Sequence, residues 1–332
     1  MSRWTKWVMA GAIAASTALG LSAANLKQEP QLDAGRRAYE AGDYAKAIEL
    51  LQAAAASDPG DGNVQLLLAK SFLELQNHDA AIKSAERAVA IDPRSSVYHE
   101  WLGHAYGEKA DHAGWFSAIS FAKKTRKEFE TAVQLNGKNF AARQALIEFD
   151  CSAPGMVGGG EEKALPQIKE LAELDAAEGH YAAGNCRRQK KDFATADVEF
   201  SRALESNPSS AELIYDIGDY AVRRGATGQL AAVVKAGKLI APADPRNAFY
   251  EATRLILENE KHEEAERLLR EYMKTAPNRS GYPRPATAHA WLGRLFESEG
   301  RMDEAANELN AALKIDPKNR FAQELQKRLK KG

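Results

Sequence analysis

Small apolar residues recur along this chain at a period of 34. Pro59 and Pro93 are 34 residues apart, as are Pro208 and Pro242, and Pro277 follows 35 later. Most of these prolines have a small residue five positions before them, usually another twelve before, and often a third twenty-four before. The farthest position holds Gly35, Ala69, Gly103, Ala145, Gly184, Gly218 and Gly293. The middle one holds Ala47, Ala81, Ala164, Ala196, Ala265 and Ala305, and the nearest holds Ala54, Ala88, Ala132, Ala203 and Ala312. Such a pattern predicts two helices per unit, crossing so closely that only Gly or Ala fits between them. The first helix runs to a turn such as Ala41, Gly42 and Asp43. The second opens at an Asp and stops at Asp-Pro, where proline blocks its continuation.

Eight units follow from this reading: 28–61, 62–95, 96–138, 139–176, 177–210, 211–244, 246–279 and 286–319. The third carries ten extra residues, read as two lengthened helices around a turn near Gly114. The fourth is the most divergent, its turn replaced by Ser152 to Gly160. Ser280 to Pro285 forms a proline-stiffened insertion before the eighth. Residues 320–332 read as a capping helix, polar at most positions as the end of a stacked array must be.

The period, the glycines and alanines, and stretches such as Leu102, Gly103 and Tyr106 followed by Phe129 and Ala132 resemble the tetratricopeptide repeat. The resemblance covers nearly everything after residue 24. It implies an all-α, right-handed α-solenoid of about eight helix-turn-helix repeats. In that family the first helix of each repeat lines a concave groove that holds a peptide or protein segment. The resemblance places Tyr181, Tyr215 and Tyr250 at one groove position of three consecutive repeats, beside Asn185, Asp219 and Arg254. Arg188, Gln189 and Arg223 share that face. The tyrosines either present flat apolar rings and hydroxyls to a ligand or pack against the preceding repeat and seal the groove. The family's carboxylate clamp for chaperone C-termini is absent, because Tyr181 stands where its lysine is required.

Charge narrows the partner. The net charge is −1, without the basic excess a nucleic-acid surface needs. Lys327, Arg328, Lys330 and Lys331 read as the solvated end of the last helix. Arg3 and Lys6 precede an uncharged stretch, Trp7 to Leu21, and the small residues Ser22, Ala23 and Ala24. That order predicts a signal peptide over 1–24, and hence a periplasmic or secreted protein. The alternative is an N-terminal anchor in the inner membrane. No second long apolar run follows, so no stable span is expected after cleavage. In an oxidising compartment Cys151 and Cys186 form a disulfide or stay as two free or buried thiols. On the assigned repeat boundaries they lie near the ends of adjacent first helices, about one turn out of step.

Candidate chemistry is sparse. The run Gly155 to Gly160 has no following Lys-Ser or Lys-Thr and no preceding strand, so it reads as a spacer loop and a possible partner contact, not a phosphate cradle. His99 and His104 are five apart and diverge by about 140° on a helix. His104, Glu108 and His112 share a face at steps of four, but no fourth ligand is evident and no metal or other cofactor is assigned. His99, His180 and His289 recur at a position of interhelical packing. No nucleophile or carboxylate pair has a catalytic setting, so no enzyme activity is assigned. The leading expectation is a non-catalytic scaffold holding a protein or peptide in its groove during assembly of a bacterial envelope or secreted structure. A constitutive subunit using its convex face or its ends is the alternative, and a metal protein or enzyme built on His104, Glu108 and His112 the third reading. Oligomeric state is not legible.

Overall fold

The computed structural model describes residues 31–330; the signal segment proposed over 1–24 lies outside them. All regular structure among the described residues is helical. The first hairpin joins α1 (31–40) to α2 (Tyr44–Ser57), the second α3 (Gly62–Glu74) to α4 (His78–Ile91), and the third α5 (Ser96–Asp111) to α6 (Trp115–Leu135). Then come α7 (Phe140–Ser152) with α8 (Glu161–Leu174), α9 (Ala176–Gln189) with α10 (Phe193–Glu205), and α11 (Ala211–Arg224) with α12 (Thr227–Ile240). The last pairs are α13 (Arg246–Glu258) with α14 (His262–Thr275) and α15 (Pro285–Ser298) with α16 (Met302–Ile315), before the single helix α17 (Arg320–Leu329). The chain divides into two compact units, residues 1–142 and 143–332. No helix among the described residues is long and apolar enough to cross a membrane.

Local chemistry explains the breaks. Asp43, Asp61, Asn77, Ser95, Asp175, Asp192, Ser210 and Asn319 each accept a hydrogen bond from a backbone N–H in the turn they open. These caps satisfy donors that the helix itself leaves orphaned. The small positions lie where helices cross: Ala47, Ala54, Ala69, Ala81, Ala196, Ala203, Ala265, Ala305 and Ala312 are all fully buried. The glycines accept a knob from the second helix. A Cβ on Gly35 would lie 2.7 Å from Leu51, on Gly103 2.6 Å from Phe129, on Gly184 2.6 Å from Phe200, and on Gly293 2.7 Å from Leu309. Such separations are below any ordinary carbon contact, so the sequence period is a record of interhelical approach.

The recurring histidines do more than pack. Nδ1 of His99, His180 and His289 lies 2.6, 2.7 and 2.6 Å from Glu128, Glu199 and Glu308 respectively. Each pair joins the first helix of a hairpin to its second. His104 is different: its ring sits 5.2 Å from Trp101 and 5.0 Å from Phe129. Burial, with Lys70 nearby, holds its pKa down at about 4. The folded chain therefore resists a protonation that the unfolded chain accepts near 6.5. The stability this contributes is complete above pH 6.5 and is lost as pH falls toward about 4. As pH falls across that window the melting temperature of wild type is expected to drop relative to that of His104→Leu, which lacks the titrating group; parallel curves would show that His104 does not set the acid limit.

In the third hairpin α5 and α6 are 16 and 21 residues long and meet at Gly114, the N-cap of α6. Between α7 and α8 the Gly-rich stretch is tightly built. Gly155–Val157 form a 3-10 turn, Val157 is buried, and Gly158 and Gly160 have φ of +100° and +146°. A Cβ on Gly159 would lie 2.1 Å from the Ala153 carbonyl oxygen. The stretch is a loop, and at 158–160 its backbone admits little besides glycine. Beside it Cys151 and Cys186 are joined in a disulfide with Cα atoms 5.4 Å apart. Cys151 is the twelfth residue of α7 and Cys186 the eleventh of α9. The two are thus nearly at one level, not a turn out of step, because α7 begins one residue after its assigned boundary at 139 and α9 one residue before its own at 177.

Candidate partner-binding face

The second unit holds every groove residue expected from sequence. Tyr181, Tyr215 and Tyr250 lie on the first helices α9, α11 and α13, one per hairpin. The ladder exists, but it is not a ligand surface. Tyr215 and Tyr250 are each 1% exposed, and their rings stack at 5.7 Å with planes 11° apart. The Tyr215 hydroxyl donates to Asn247 Oδ1 (3.0 Å), and the Tyr250 hydroxyl lies 2.9 Å from both Asp219 Oδ1 and the Tyr215 carbonyl. Tyr181 is half-buried and donates to Asp216 Oδ2 at 2.9 Å. Each phenol thus reaches the neighbouring first helix. Of the two readings of the ladder, the packing one describes Tyr215 and Tyr250: their rings are mortar between repeats and do not line an open groove. Gly218 makes room for this, since a Cβ there would lie 2.8 Å from the Tyr250 ring.

What these phenols anchor is polar. Asp219 is drawn under Tyr250, and burial pushes its carboxyl above the usual range, with Arg223 acting against that shift. Glu148 of α7 is likewise pushed up by burial, opposed by Arg188. Arg188 lies 3.7 Å from Asp216, and Arg223 is exposed. Arg254 stands apart, held between Glu251 and Glu258 of its own helix. The structure therefore brings together Asn185, Arg188, Asp219 and Arg223, with Asp216 and Glu148 added. Those two acids were not singled out in the sequence; a carboxylate on a first helix beside each basic position was the available signal.

Two acceptors on this face are incomplete. Asn185 Oδ1 and Gln189 Oε1 are buried without a hydrogen-bond partner among the described residues. They are four residues apart on α9, hence on one side of the helix. The Gln189 amide nitrogen is already committed to Glu148 Oε1 at 2.9 Å. Both atoms are shut off from solvent, so the unpaired acceptors are a cost carried inside the fold.

Sequence reasoning also missed Arg246, which is only 4% exposed. Its guanidinium lies between the rings of Tyr215 (4.0 Å) and Tyr282 (4.4 Å) and forks onto Asp244 at 2.7 Å. Tyr282 belongs to the proline-rich insertion, which Tyr272 also grips through the Pro283 carbonyl at 2.5 Å. The insertion is thereby held against the start of α13, with Tyr282 and Pro283 partly buried.

The fold defined by these hairpins is an all-α solenoid of helix-turn-helix repeats. Tetratricopeptide repeat models match residues 38–103 and 250–320. The chain is a tetratricopeptide repeat protein, a class whose repeats serve as protein–protein interaction scaffolds. No curated protein matches its sequence significantly. Among solved structures it is similar to a thermophilic tetratricopeptide repeat protein of Thermus thermophilus, at 21% identity over 56% of this chain and 94% of that one, with a TM-score of 0.47. A tetratricopeptide repeat protein of Parabacteroides merdae is 12% identical over 91% of this chain and 98% of that one, with a TM-score of 0.42. MamA is 21% identical over 52% and 93%, with a TM-score of 0.40.

Proposed function

We propose that the chain is an exported, non-catalytic scaffold that holds an extended protein segment against α9 and α11, during assembly of an envelope or secreted structure. The observation that carries this reading is the mixed-charge rim of α9 and α11, where Arg188 and Asp216 are partly exposed and Arg223 is exposed. With the partly buried Asp219 they form a row of charges of both signs. An extended segment offers backbone N–H donors at regular intervals and charged side chains to pair with such a rim. Export is supported by the signal-like order of residues 1–24 and by the disulfide, which persists in oxidising compartments.

The test is photo-crosslinking from position 223 in the native host, with the adduct identified by mass spectrometry. Position 223 is chosen because it is exposed, unlike 215. The reading expects one dominant adduct, weakened by Arg188→Glu. Complexes recovered without any adduct at 223 would overturn it.

A second reading places the contact on the second helices, as a constitutive subunit. It is favoured by an open groove of about 660 Å³ between α10 and α12, lined by Leu204, Pro208, Ala232, Ala236 and Leu239. Leu239 is 77% exposed there.

A further inference from the structure

Three ligand-bearing side chains meet in the first unit. One atom from each of His78, Glu108 and His112 lies within 4.8 Å of the others. His78 opens α4, Glu108 is in the last turn of α5, and His112 caps that helix. Glu108 and His112 belong to the sequence-level triad; His104 does not join them, being packed between Trp101 and Phe129. His78, thirty residues before Glu108, takes its place.

The details suit a cation. Nδ1 of His112 lies 2.8 Å from the Glu108 backbone carbonyl, an oxygen that only accepts. The proton is therefore on Nδ1, and Nε2 keeps its lone pair for a ligand bond. Nδ1 of His78 is buried with no hydrogen-bond partner among the described residues. The two imidazoles stack with centroids 4.6 Å apart and planes 24° apart. One residue further along each helix, Lys109 bridges to Asp79 at 2.8 Å, which already clamps the same two helix ends.

We propose that His78, Glu108 and His112 bind a divalent transition metal of the zinc class. Two imidazoles and a carboxylate make a borderline donor set; calcium and magnesium take oxygen ligands almost exclusively. A water completes four-coordination, as in other three-ligand sites. The ion ties the opening of α4 to the end of α5. That is the turn end of the lengthened hairpin, where Trp115 and Phe116 are 68% and 87% exposed. Its role is to brace that tip.

The experiment uses the untagged full chain, stripped with chelator and titrated with Zn²⁺ by calorimetry. One equivalent is expected to bind, with affinity lowered about 10-fold or more by His78→Ala or by His112→Ala. Glu108→Gln should weaken it to a similar degree, while His289→Ala, in the other unit, leaves it unchanged. Co²⁺ should give the intense visible bands of four-coordinate geometry, lost in the same variants. Circular dichroism checks that each variant stays helical. No stoichiometric binding, or equal binding by a His78→Ala, His112→Ala double variant, would overturn the proposal.

Discussion

Tyr215→Ala is expected to destabilise the second unit by roughly 4 kcal/mol, the usual scale for deleting a buried aromatic ring. The ring is 1% exposed, stacked on Tyr250 and covered by the Arg246 guanidinium at 4.0 Å. Its loss leaves a cavity and strips one aromatic face from a buried cation. It also unpairs Asn247 Oδ1, which sits 3.0 Å from the hydroxyl. Tyr215→Phe keeps the ring and loses only that hydrogen bond, at a cost of about 1 kcal/mol. Urea unfolding of the two variants separates these contributions. If Tyr215→Ala stays within about 1 kcal/mol of wild type but loses its partner, the ring faces a ligand after all and the packing assignment is wrong.

Replacing both Cys151 and Cys186 with serine should cost roughly 3–4 kcal/mol, the loop-closure estimate for a link spanning 35 residues. The link joins α7 to α9 across the tight glycine loop, where the buried Val157 and the positive-φ glycines leave little slack. Reduced wild type and the double variant should melt together, below oxidised wild type. A melting curve indifferent to reductant would mean the thiols are unpaired in solution. It would also remove one of the two supports for an oxidising compartment.

The repeat architecture was legible because close helix crossings demand small residues at fixed intervals. Gly103, Gly184 and Gly293 could be placed from spacing alone, and each proves to meet a large side chain of the second helix. Caps were legible for the same reason: Asp43, Asp192 and their counterparts act on backbone two or three residues away, so the interaction lies within a short stretch of sequence. The ladder of Tyr181, Tyr215 and Tyr250 was legible as a ladder.

Its facing was not. Spacing gives an angle around a helix but does not say which neighbour covers that angle. Tyr215 and Tyr250 point where α11 and α13 meet, and that contact is a property of two hairpins together. The histidines teach the same lesson. Steps of four put His104 beside Glu108 on an isolated helix, but the Phe129 ring of α6 claims His104, and His78 arrives from another hairpin. The cysteines, ambiguous in sequence, became a pair once the starts of α7 and α9 fixed their level. By itself the sequence determined the class of fold, the period and the ends of most helices, all set by short-range sterics and hydrogen bonding. Only the tertiary structure decided which polar and aromatic groups are spent between repeats and which remain to meet a partner or an ion, because burial depends on what the rest of the chain brings alongside.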